Sequence, residues 1–361
     1  MSISQNKDFF YTNLAFQQAE INLGSTSTNP SVGCIIVKNN SVISSGRTSI
    51  NGRPHAESNA LKKKLDYKDS DLYVTLEPCS HYGKTPPCTN KIINKKINRV
   101  IFSINDSDLR SKKKSKKILN NKRIIVKKLA QKNVANNFYQ SYFSQTSNQL
   151  PVIDAKLALS KDYFTVNKKK EWITNARSRS LGNFLRSRYD CLLTTSKTIN
   201  NDNPSLDCRI EGLEKTSPNL IIIDRFLKIK KNIRIFKKKK RKIYIFTCVK
   251  NHSKEKFLKK KGVKIIKYSE KNHKEFNFKS FFLNIKKLGI SRIFVESGST
   301  YISQLLKYNL VQNLYLFKSS KNLDLKGKNN SSIFFIKKVK ISKRNKINVN
   351  LNGDSLYKAK L

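Results

Sequence analysis

Two short stretches of the sequence bring together the side-chain types that bind metals. HAESNAL runs from His55 to Leu61, and TLEPCSHYGKTPPCTN runs from Thr75 to Asn90. They contain two of the four histidines and two of the six cysteines, in a chain where 74 of 361 residues are lysine or arginine. Such a concentration of His, Glu and Cys is typical of a metal site.

The spacing of these residues predicts an open zinc site. His55 begins a predicted helix over 55–65, and Cys79 and Cys88 follow a proline at a second predicted helix start, where the helix dipole favours thiolates. One His and two Cys give three protein ligands, so tetrahedral zinc would keep a fourth position for water, which is typical of catalytic sites. Glu57 would move protons without binding the metal.

Two other interpretations stay open at this point. His81 could be a fourth ligand, which would make the site structural, although we expect it to orient the loop instead. The same residues could also be separate core cysteines and an exposed histidine. The order H-x-E and then P-C favours zinc nucleobase deaminases, whose second motif is P-C-x-x-C. Here eight residues separate Cys79 from Cys88.

The segments around these motifs alternate between helical and strand patterns, which predicts a layered α/β domain. The predicted helix before the motifs covers 9–23, and the predicted strands cover 32–38, 41–46, 71–76 and 99–104.

A second α/β domain is predicted after Pro151, with domains at 1–147 and 148–361. It carries neither a Walker loop nor a G-x-G-x-x-G motif. Its predicted helices are 176–188 and 278–290, and its predicted strands are 151–160, 191–195, 218–224, 242–247, 263–268 and 292–297.

The formal net charge of +50 admits two interpretations. A basic field binds nucleic acid or membrane surfaces. The runs here are scattered, rich in lysine and free of interleaved aromatics, unlike typical nucleic-acid surfaces. We therefore expect solvated faces and no nucleic-acid partner. No secretory signal or membrane-spanning segment is recognised, so we expect a cytoplasmic protein with reduced cysteines and no membrane partner.

At the family level, the sequence resembles the bifunctional riboflavin biosynthesis deaminase–reductases over nearly its whole length. TNPSVGCIIVKNNSVISSGRTSINGRPHAESNAL and VTLEPCSHYGKTPPCTN resemble the deaminase half, and the spacer SHYGKTPP distinguishes this family from other zinc deaminases. KLALSKD, EWIT, LRSRYD, TINNDNPSLDCR and FVESGST resemble the reductase half in the same order.

The resemblance implies a cytidine-deaminase-like α/β/α domain followed by a dihydrofolate-reductase-like α/β domain. It implies Zn2+ on His55, Cys79 and Cys88, with Glu57 as the proton shuttle. Asn29 and Lys84 would meet the substrate of the deaminase. Arg53 would assist them.

For the second domain, the resemblance implies two sets of contacts. The NADPH site would be lined by Ala158, Trp172, Thr198, Asp202 and Gly298. The site for the phosphorylated ribosylamino substrate would be lined by Arg186, Leu206, Arg209 and Glu296. Asp162 is retained near the reacting sugar without an assigned role.

Several positions depart from the family pattern. In the deaminase half, Thr48 stands where many relatives have His, and INDSDLRSKKK replaces an Asp-Pro-Asn-Pro stretch. In the reductase half, Tyr163, Thr195 and Lys197 replace glycines, Ser299 replaces a proline, and Lys170 stands where a Ser is usual in a shortened loop before Trp172.

The implied function is zinc-dependent deamination of a diaminopyrimidinone ribosyl phosphate, followed by NADPH reduction of its ribosyl group, in a protein expected to form a homo-oligomer. The alternatives are a deaminase whose reductase-like domain is inactive and a nucleic-acid-editing deaminase.

Overall fold

The chain forms two compact units, Met1–Gln149 and Leu150–Leu361. The structure, a computed structural model, describes residues 3–147, 149–169, 171–237, 241–268, 276–331, 339 and 342–361. Lys170, singled out above, lies outside these residues. No helix in the described ranges is long and apolar enough to cross a membrane.

The first unit alternates helices and strands around one sheet. In chain order its elements are α1 (Ile3–Ile21), β1 (Gly33–Lys38), β2 (Ser41–Arg47), α2 (Ala56–Ala60), β3 (Asp71–Leu76), α3 (Cys88–Asn94), β4 (Arg99–Ile104), α4 (Ser115–Asn120), β5 (Ile125–Lys128) and α5 (Lys132–Thr146).

The sheet of this unit has the strand order β2-β1-β3-β4-β5 among the described residues. Strand β1 runs antiparallel to β2 and β3, whereas β3, β4 and β5 are parallel to one another. Alternate residues of β1 face opposite sides: Ile35 packs with Tyr11 of α1, and Ile36 with Ala60 of α2. The result is the predicted three-layer α/β/α arrangement.

Two glycines let helices lie directly on the backbone of β1 and β2. A Cβ atom on Gly33 of β1 would stand 1.9 Å from the carbonyl oxygen of Ala15 in α1. A Cβ atom on Gly46 of β2 would stand 2.3 Å from the carbonyl oxygen of Ala56 in α2. Because α2 follows directly after His55, this close packing also fixes the position of the predicted metal ligand.

The structure corrects two helix predictions in this unit. The helix predicted over 55–65 ends at Ala60, where the Tyr67 hydroxyl donates to the Ala60 carbonyl at 3.0 Å and replaces a further helical turn. The second predicted helix begins at Cys88, so Cys79 lies in the preceding loop. The strands at 71–76 and 99–104 are confirmed.

The second unit is also α/β. Its elements are β6 (Val152–Leu159), β7 (Phe164–Asn167), α6 (Ala176–Arg186), β8 (Cys191–Thr195), α7 (Ser196–Asp202), β9 (Asn219–Ile223), β10 (Ile243–Thr247), α8 (His252–Lys260), β11 (Val263–Lys267), α9 (Phe278–Lys287), β12 (Arg292–Glu296), α10 (Ser299–Lys307), β13 (Asn313–Lys318), β14 (Gly327–Asn330), β15 (Lys346–Leu351) and β16 (Asp354–Lys360).

One large sheet organises this unit, with the order β11-β10-β9-β8-β12-β6-β13-β16-β15 in the described part of the chain. The strands from β11 to β13 are parallel, and β16 and β15 extend the sheet in antiparallel fashion. Parallel strands place their carboxyl ends at one edge, where ligands bind in open α/β sheets. Strands β8, β12 and β6, at the centre, bring most of the predicted reductase residues to that edge.

Candidate metal centre and reductase site

Three predicted metal ligands converge in the first unit. His55 is the residue before α2, Cys88 begins α3, and Cys79 lies in the loop after β3. The Nδ1 atom of His55 lies 3.6 Å from the Sγ atom of Cys79 and 3.5 Å from the Sγ atom of Cys88. The three ligand atoms all lie within 4.8 Å of one another.

These separations fit a zinc ion. Zinc bonds of about 2.0 Å to nitrogen and about 2.3 Å to sulfur, at tetrahedral angles, place the two ligand atoms about 3.6 Å apart. Within the described residues this is the only group of three or more such side chains. His81 is not a fourth member, because its Nδ1 atom pairs with the Ser111 hydroxyl at 2.7 Å. Three protein ligands leave room for a water molecule, as in catalytic sites.

One of the two sulfur atoms, that of Cys79, is already arranged to lose its proton, whereas the hydrogen bond with Cys79 and burial raise the pKa of Cys88. The Cys88 amide, at the first turn of α3, donates to Cys79 Sγ at 3.2 Å. The hydrogen bond from the Cys88 thiol, with further contributions from His55 and this amide, lowers the pKa of Cys79 to about 4. A thiolate is the form that binds metal, so Cys79 is prepared for a cation, and Cys88 would lose its proton when the metal binds.

Glu57 lies beside the three ligands in the first turn of α2, with a side chain that is nearly inaccessible to solvent. Burial, followed by the negative charge of Cys79, raises the pKa of Glu57 to about 7. A carboxyl group that titrates near neutral pH can both accept and return a proton, which suits a general acid–base.

An open pocket extends from this centre. Its walls include the predicted substrate residue Asn29 together with Thr48, Arg53 and Glu57. Gly52, at φ +89°, lies so close to Asn29 that a Cβ atom would stand 2.3 Å from its Nδ2 atom. Lys84 is exposed and is not among the residues lining the pocket.

Thr48 faces the pocket but has its hydroxyl group engaged. The Val32 amide donates to Thr48 Oγ1 at 3.0 Å, and the side chain is fully buried. The residue therefore fixes the start of β1, and its hydroxyl is directed to the backbone.

The sequence reasoning marked INDSDLRSKKK as a departure at one wall of the pocket but assigned no residue to it, and the structure places Asp106, Asp108 and Arg110 there. Arg110 Nη2 lies 2.6 Å from the Asp108 carboxylate. Tyr142 of α5 donates to Asp106 at 2.7 Å. A possible signal was the D-x-D-x-R spacing, which places both carboxylates and a cation in one loop after a predicted strand.

In the second unit, Arg186 of α6 and Glu296 of β12 form a largely buried ion pair. Arg186 Nε lies 2.5 Å from Glu296 Oε1, and Nη2 lies 2.9 Å from Oε2. Arg186 Nη1 donates to Asn183 and to the Asp207 carbonyl. The charge of Arg186 lowers the pKa of Glu296 against the opposing effect of burial.

Lys156 is a further charged residue at this place, and the sequence reasoning did not single it out. It pairs in register with Glu296 across β6 and β12, so the two side chains are neighbours on one face of the sheet. Burial lowers the pKa of Lys156, and Glu296 partly offsets this. Ala158, predicted at the NADPH site, lies two residues further along β6 on the same face.

A cluster of hydroxyl groups lies at the carboxyl ends of β8 and β12. Thr195 Oγ1 lies 3.1 Å from Thr198 Oγ1, and Ser297 Oγ is within 3.4 Å of both. Gly298 precedes α10, and a Cβ atom there would meet nothing within 4 Å. Open space before the N-terminus of a nine-residue helix fits the phosphates of NADPH.

The remaining predicted residues are more dispersed. Trp172 is 77% exposed and stacks with Arg179, and Asp202 ends α7 in an exposed position. Arg209 is exposed near Asp207. Leu206 is buried in the apolar core at φ +50°, so a contact with substrate would have to use its backbone.

The chain matches two family models in the expected order. Residues 5–104 match the cytidine and deoxycytidylate deaminase zinc-binding region, and residues 151–323 match the RibD C-terminal domain. The riboflavin biosynthesis protein RibD of Aquifex aeolicus is 31% identical over 314 residues, covering 86% of each chain. The RibD protein of Buchnera aphidicola is 31% identical over 351 residues, covering 91% of each chain.

The chain belongs to the RibD family. A crystal structure of a diaminohydroxyphosphoribosylaminopyrimidine deaminase/5-amino-6-(5-phosphoribosylamino)uracil reductase from Thermotoga maritima is similar to it, with 25% identity, a TM-score of 0.80 and coverage of 99% of each chain. An Acinetobacter baumannii RibD structure shares the fold, with a TM-score of 0.83 at 23% identity. The predicted resemblance and the predicted fold class are confirmed.

As a RibD family member, the chain is an enzyme with a zinc-binding deaminase domain followed by a reductase domain of the kind that uses NADPH. The expected substrate class, a small molecule, is confirmed with the family. These findings disfavour the alternative of a nucleic-acid-editing deaminase.

Two departures from the RibD pattern have structural counterparts. Tyr163 has φ +67°, the left-handed region that favours glycine, and its ring packs 4.0 Å from the ammonium group of Lys318. Thr195 caps α7 by accepting from the Thr198 amide at 3.4 Å. Tyr163 thus holds a backbone conformation that favours glycine and contacts Lys318, and Thr195 supplies the cap of α7.

Proposed function

We propose that this protein deaminates 2,5-diamino-6-ribosylamino-4(3H)-pyrimidinone 5′-phosphate and then reduces the ribosyl group of the product with NADPH, giving 5-amino-6-ribitylamino-uracil 5′-phosphate. The main support is the convergence of His55, Cys79 and Cys88 at zinc-binding separations beside buried Glu57, in a RibD family chain.

For the first reaction, His55, Cys79 and Cys88 are proposed to hold Zn2+, which would lower the pKa of a water molecule towards neutrality. Glu57 would take a proton from that water and deliver it to the amine that leaves as ammonia. Its titration near neutral pH allows both transfers. Asn29 would hold the pyrimidine, while Arg53 at the pocket and the exposed Lys84 would attract the phosphate.

For the second reaction, the C1′–O4′ bond of the ribosyl ring would open, NADPH would supply a hydride to C1′, and a proton from solvent would complete the ribityl group. Thr198 and the backbone at Gly298 would hold its phosphates, and Ala158, Trp172 and Asp202 would line the rest of the cofactor site. The proposed substrate side is formed by Arg186, Arg209, Glu296 and the backbone of Leu206. We add Lys156, because it lies between Glu296 and the position of Ala158.

A cytoplasmic location and a homo-oligomeric state complete the proposal.

The second candidate, a deaminase with an inactive reductase domain, is favoured by one observation. Four of the five N–H groups of Arg186 already donate to partners within the protein, which leaves a single N–H group, on Nη2, for a substrate phosphate.

Separate assays of the two reactions test the proposal. Purified, zinc-loaded protein would receive the diaminopyrimidinone phosphate, and ammonia release and NADPH oxidation would be followed independently. We expect both signals from the unaltered protein. The Glu57→Gln variant should lose both, and supplying the deaminated substrate should restore NADPH oxidation alone. Ammonia without NADPH oxidation would favour the second candidate, and neither signal from zinc-loaded protein would contradict the proposed function.

A further inference from the structure

The carboxylate of Glu77 receives five hydrogen bonds from one segment of the chain. Glu77 directly follows β3, two residues before Cys79, and its side chain is almost entirely buried. All five donors belong to residues 105–115, here called the 105–115 segment. They are Asn105 Nδ2 at 2.9 Å, the amides of Asp106, Lys113 and Ser115 at 3.2, 3.0 and 3.3 Å, and Ser115 Oγ at 2.8 Å.

The same segment forms a wall of the deaminase pocket. Asp106, Asp108 and Arg110 line this pocket, as does Asn29. Ser111 joins the segment to the spacer between the predicted zinc ligands, because its hydroxyl pairs with His81 Nδ1 at 2.7 Å and accepts from the Ser80 amide at 3.1 Å. A displacement of the segment would therefore move both the wall and the spacer.

The many positive charges of the segment favour a solvated, disordered loop, so specific contacts are needed to hold it in one position. Arg110 and the lysines of the 112–117 run are exposed and repel one another, whereas Ser111 and Ser115 have no exposed surface. Lys113 adopts φ +60°, a conformation that is costly for a residue with a Cβ atom, and its amide points to Glu77. The two buried serines and the Glu77 carboxylate supply the contacts that hold this basic loop.

We infer that Glu77 is a positioning residue of the deaminase: it holds the 105–115 segment so that the Asp108 carboxylate can accept from the ribosyl hydroxyl groups of the substrate and Arg110 can meet its phosphate. Both carboxylate oxygens are occupied by donors from the segment, so Glu77 acts through that segment and leaves proton transfer to Glu57. This inference rests on the proposed function, because the substrate it positions is the phosphorylated pyrimidine.

Two variants test the inference. Glu77→Gln keeps the side-chain shape but turns one acceptor into a donor that faces other donors. Ser115→Ala removes one hydroxyl and keeps the carboxylate. Asp66→Asn is the matched control, since Asp66 forms an exposed ion pair with Lys38 in the same unit. Zinc content, kcat and KM for ammonia release, and amide hydrogen exchange across residues 105–115 would be measured for each.

We expect Glu77→Gln to bind zinc like the unaltered protein but to lose about 10- to 100-fold in kcat/KM, mainly through KM, since a displacement of about 1 Å at a distant residue can cost this much. Exchange at the amides of Lys113 and Ser115 should accelerate. Ser115→Ala should change both readouts in the same direction by less, and Asp66→Asn should change neither.

Other outcomes would overturn the inference. An unchanged KM with only a lower melting temperature would make Glu77 purely structural, and loss of zinc would make it a support of the metal centre instead. An inactive but zinc-loaded unaltered protein would contradict the proposed function alone. In that case unchanged exchange in Glu77→Gln would still reject the role of Glu77, and faster exchange would support it.

Discussion

Arg186 and Glu296 join α6 to the end of β12 through a two-point ion pair, with N–O distances of 2.5 and 2.9 Å and side chains only 13% and 11% exposed. Removing one charge from such a pair leaves the other charge poorly solvated. Glu296→Gln should therefore lower the free energy of unfolding by about 2–4 kcal/mol. It should also abolish NADPH oxidation while ammonia release in the first unit persists.

The control is Glu255→Gln, because the partner of Glu255, Lys267, has a side chain that is 39% exposed, whereas that of Arg186 is 13% exposed. An exposed pair contributes about 1 kcal/mol or less. Trp172 is the only tryptophan and stacks with Arg179 at 5.0 Å, so urea titration followed by its fluorescence reports on the second unit. Equal losses in the free energy of unfolding for the two variants would show that the buried pair stabilises the protein no more than the surface pair.

Zinc binding should depend on Cys88 and be independent of the cysteines in the second unit. A serine hydroxyl at neutral pH is a poor substitute for a thiolate, so Cys88→Ser should reduce the metal content from about one zinc per chain to background. Ammonia release should disappear with it. Cys248→Ser, far along the chain in the second unit, should retain zinc, and metal analysis of both purified variants decides the matter. A zinc-loaded Cys88→Ser protein would contradict the predicted ligand set.

The candidate zinc ligands could be predicted from the sequence because their chemistry is carried by residue type and spacing, and the structure brings the three side chains together. The central strands could be predicted from the sequence because buried parallel strands are continuous apolar runs, as in LIII over 220–223. The end of α2 could not be predicted, because it depends on Tyr67. This residue lies seven positions beyond the helix, and its hydroxyl donates to the carbonyl of Ala60.

The 105–115 segment shows why the pocket wall could not be predicted. Its lysine run reads as a solvated surface, and the lysines are indeed exposed. The order of the segment comes from Ser111 and Ser115, which are buried and hydrogen-bond to His81 and Glu77, 30 or more positions earlier in the chain. Sequence periodicity does not report contacts between residues so far apart in the chain. The elements α4, β5 and α5, which follow the segment, were not predicted for a similar reason.

Gly298 offers a test of cofactor binding that is separated from folding. Its φ of −63° suits any residue, and a Cβ atom would meet nothing within 4 Å, so Gly298→Ala should leave stability unchanged. If NADPH phosphates approach this backbone, KM for NADPH should rise about tenfold, equivalent to about 1.4 kcal/mol. Gly182→Ala in α6 has equally open space and should add about 0.5–1 kcal/mol of stability without affecting NADPH. Equal KM values in both variants would exclude a phosphate contact at Gly298.

Gly46 should control the deaminase through the position of α2. A Cβ atom there would stand 2.3 Å from the Ala56 carbonyl oxygen and 2.4 Å from the Ala60 amide nitrogen, and neither backbone atom can move without the helix. Gly46→Ala should therefore destabilise the protein by about 3 kcal/mol. Because α2 carries Glu57 and follows directly after His55, kcat/KM for ammonia release should fall by about 100-fold.

The matched variant for Gly46→Ala is Gly83→Ala in the spacer between the zinc ligands. There the nearest atom to an added Cβ is a side-chain nitrogen of Arg53 at 3.7 Å, an ordinary contact. Gly83→Ala should melt like the unaltered protein and retain zinc. Melting curves, zinc content and ammonia release measured on both variants separate a displaced helix from a general sensitivity of the site. A Gly46→Ala protein with normal activity would show that α2 can shift without disturbing Glu57.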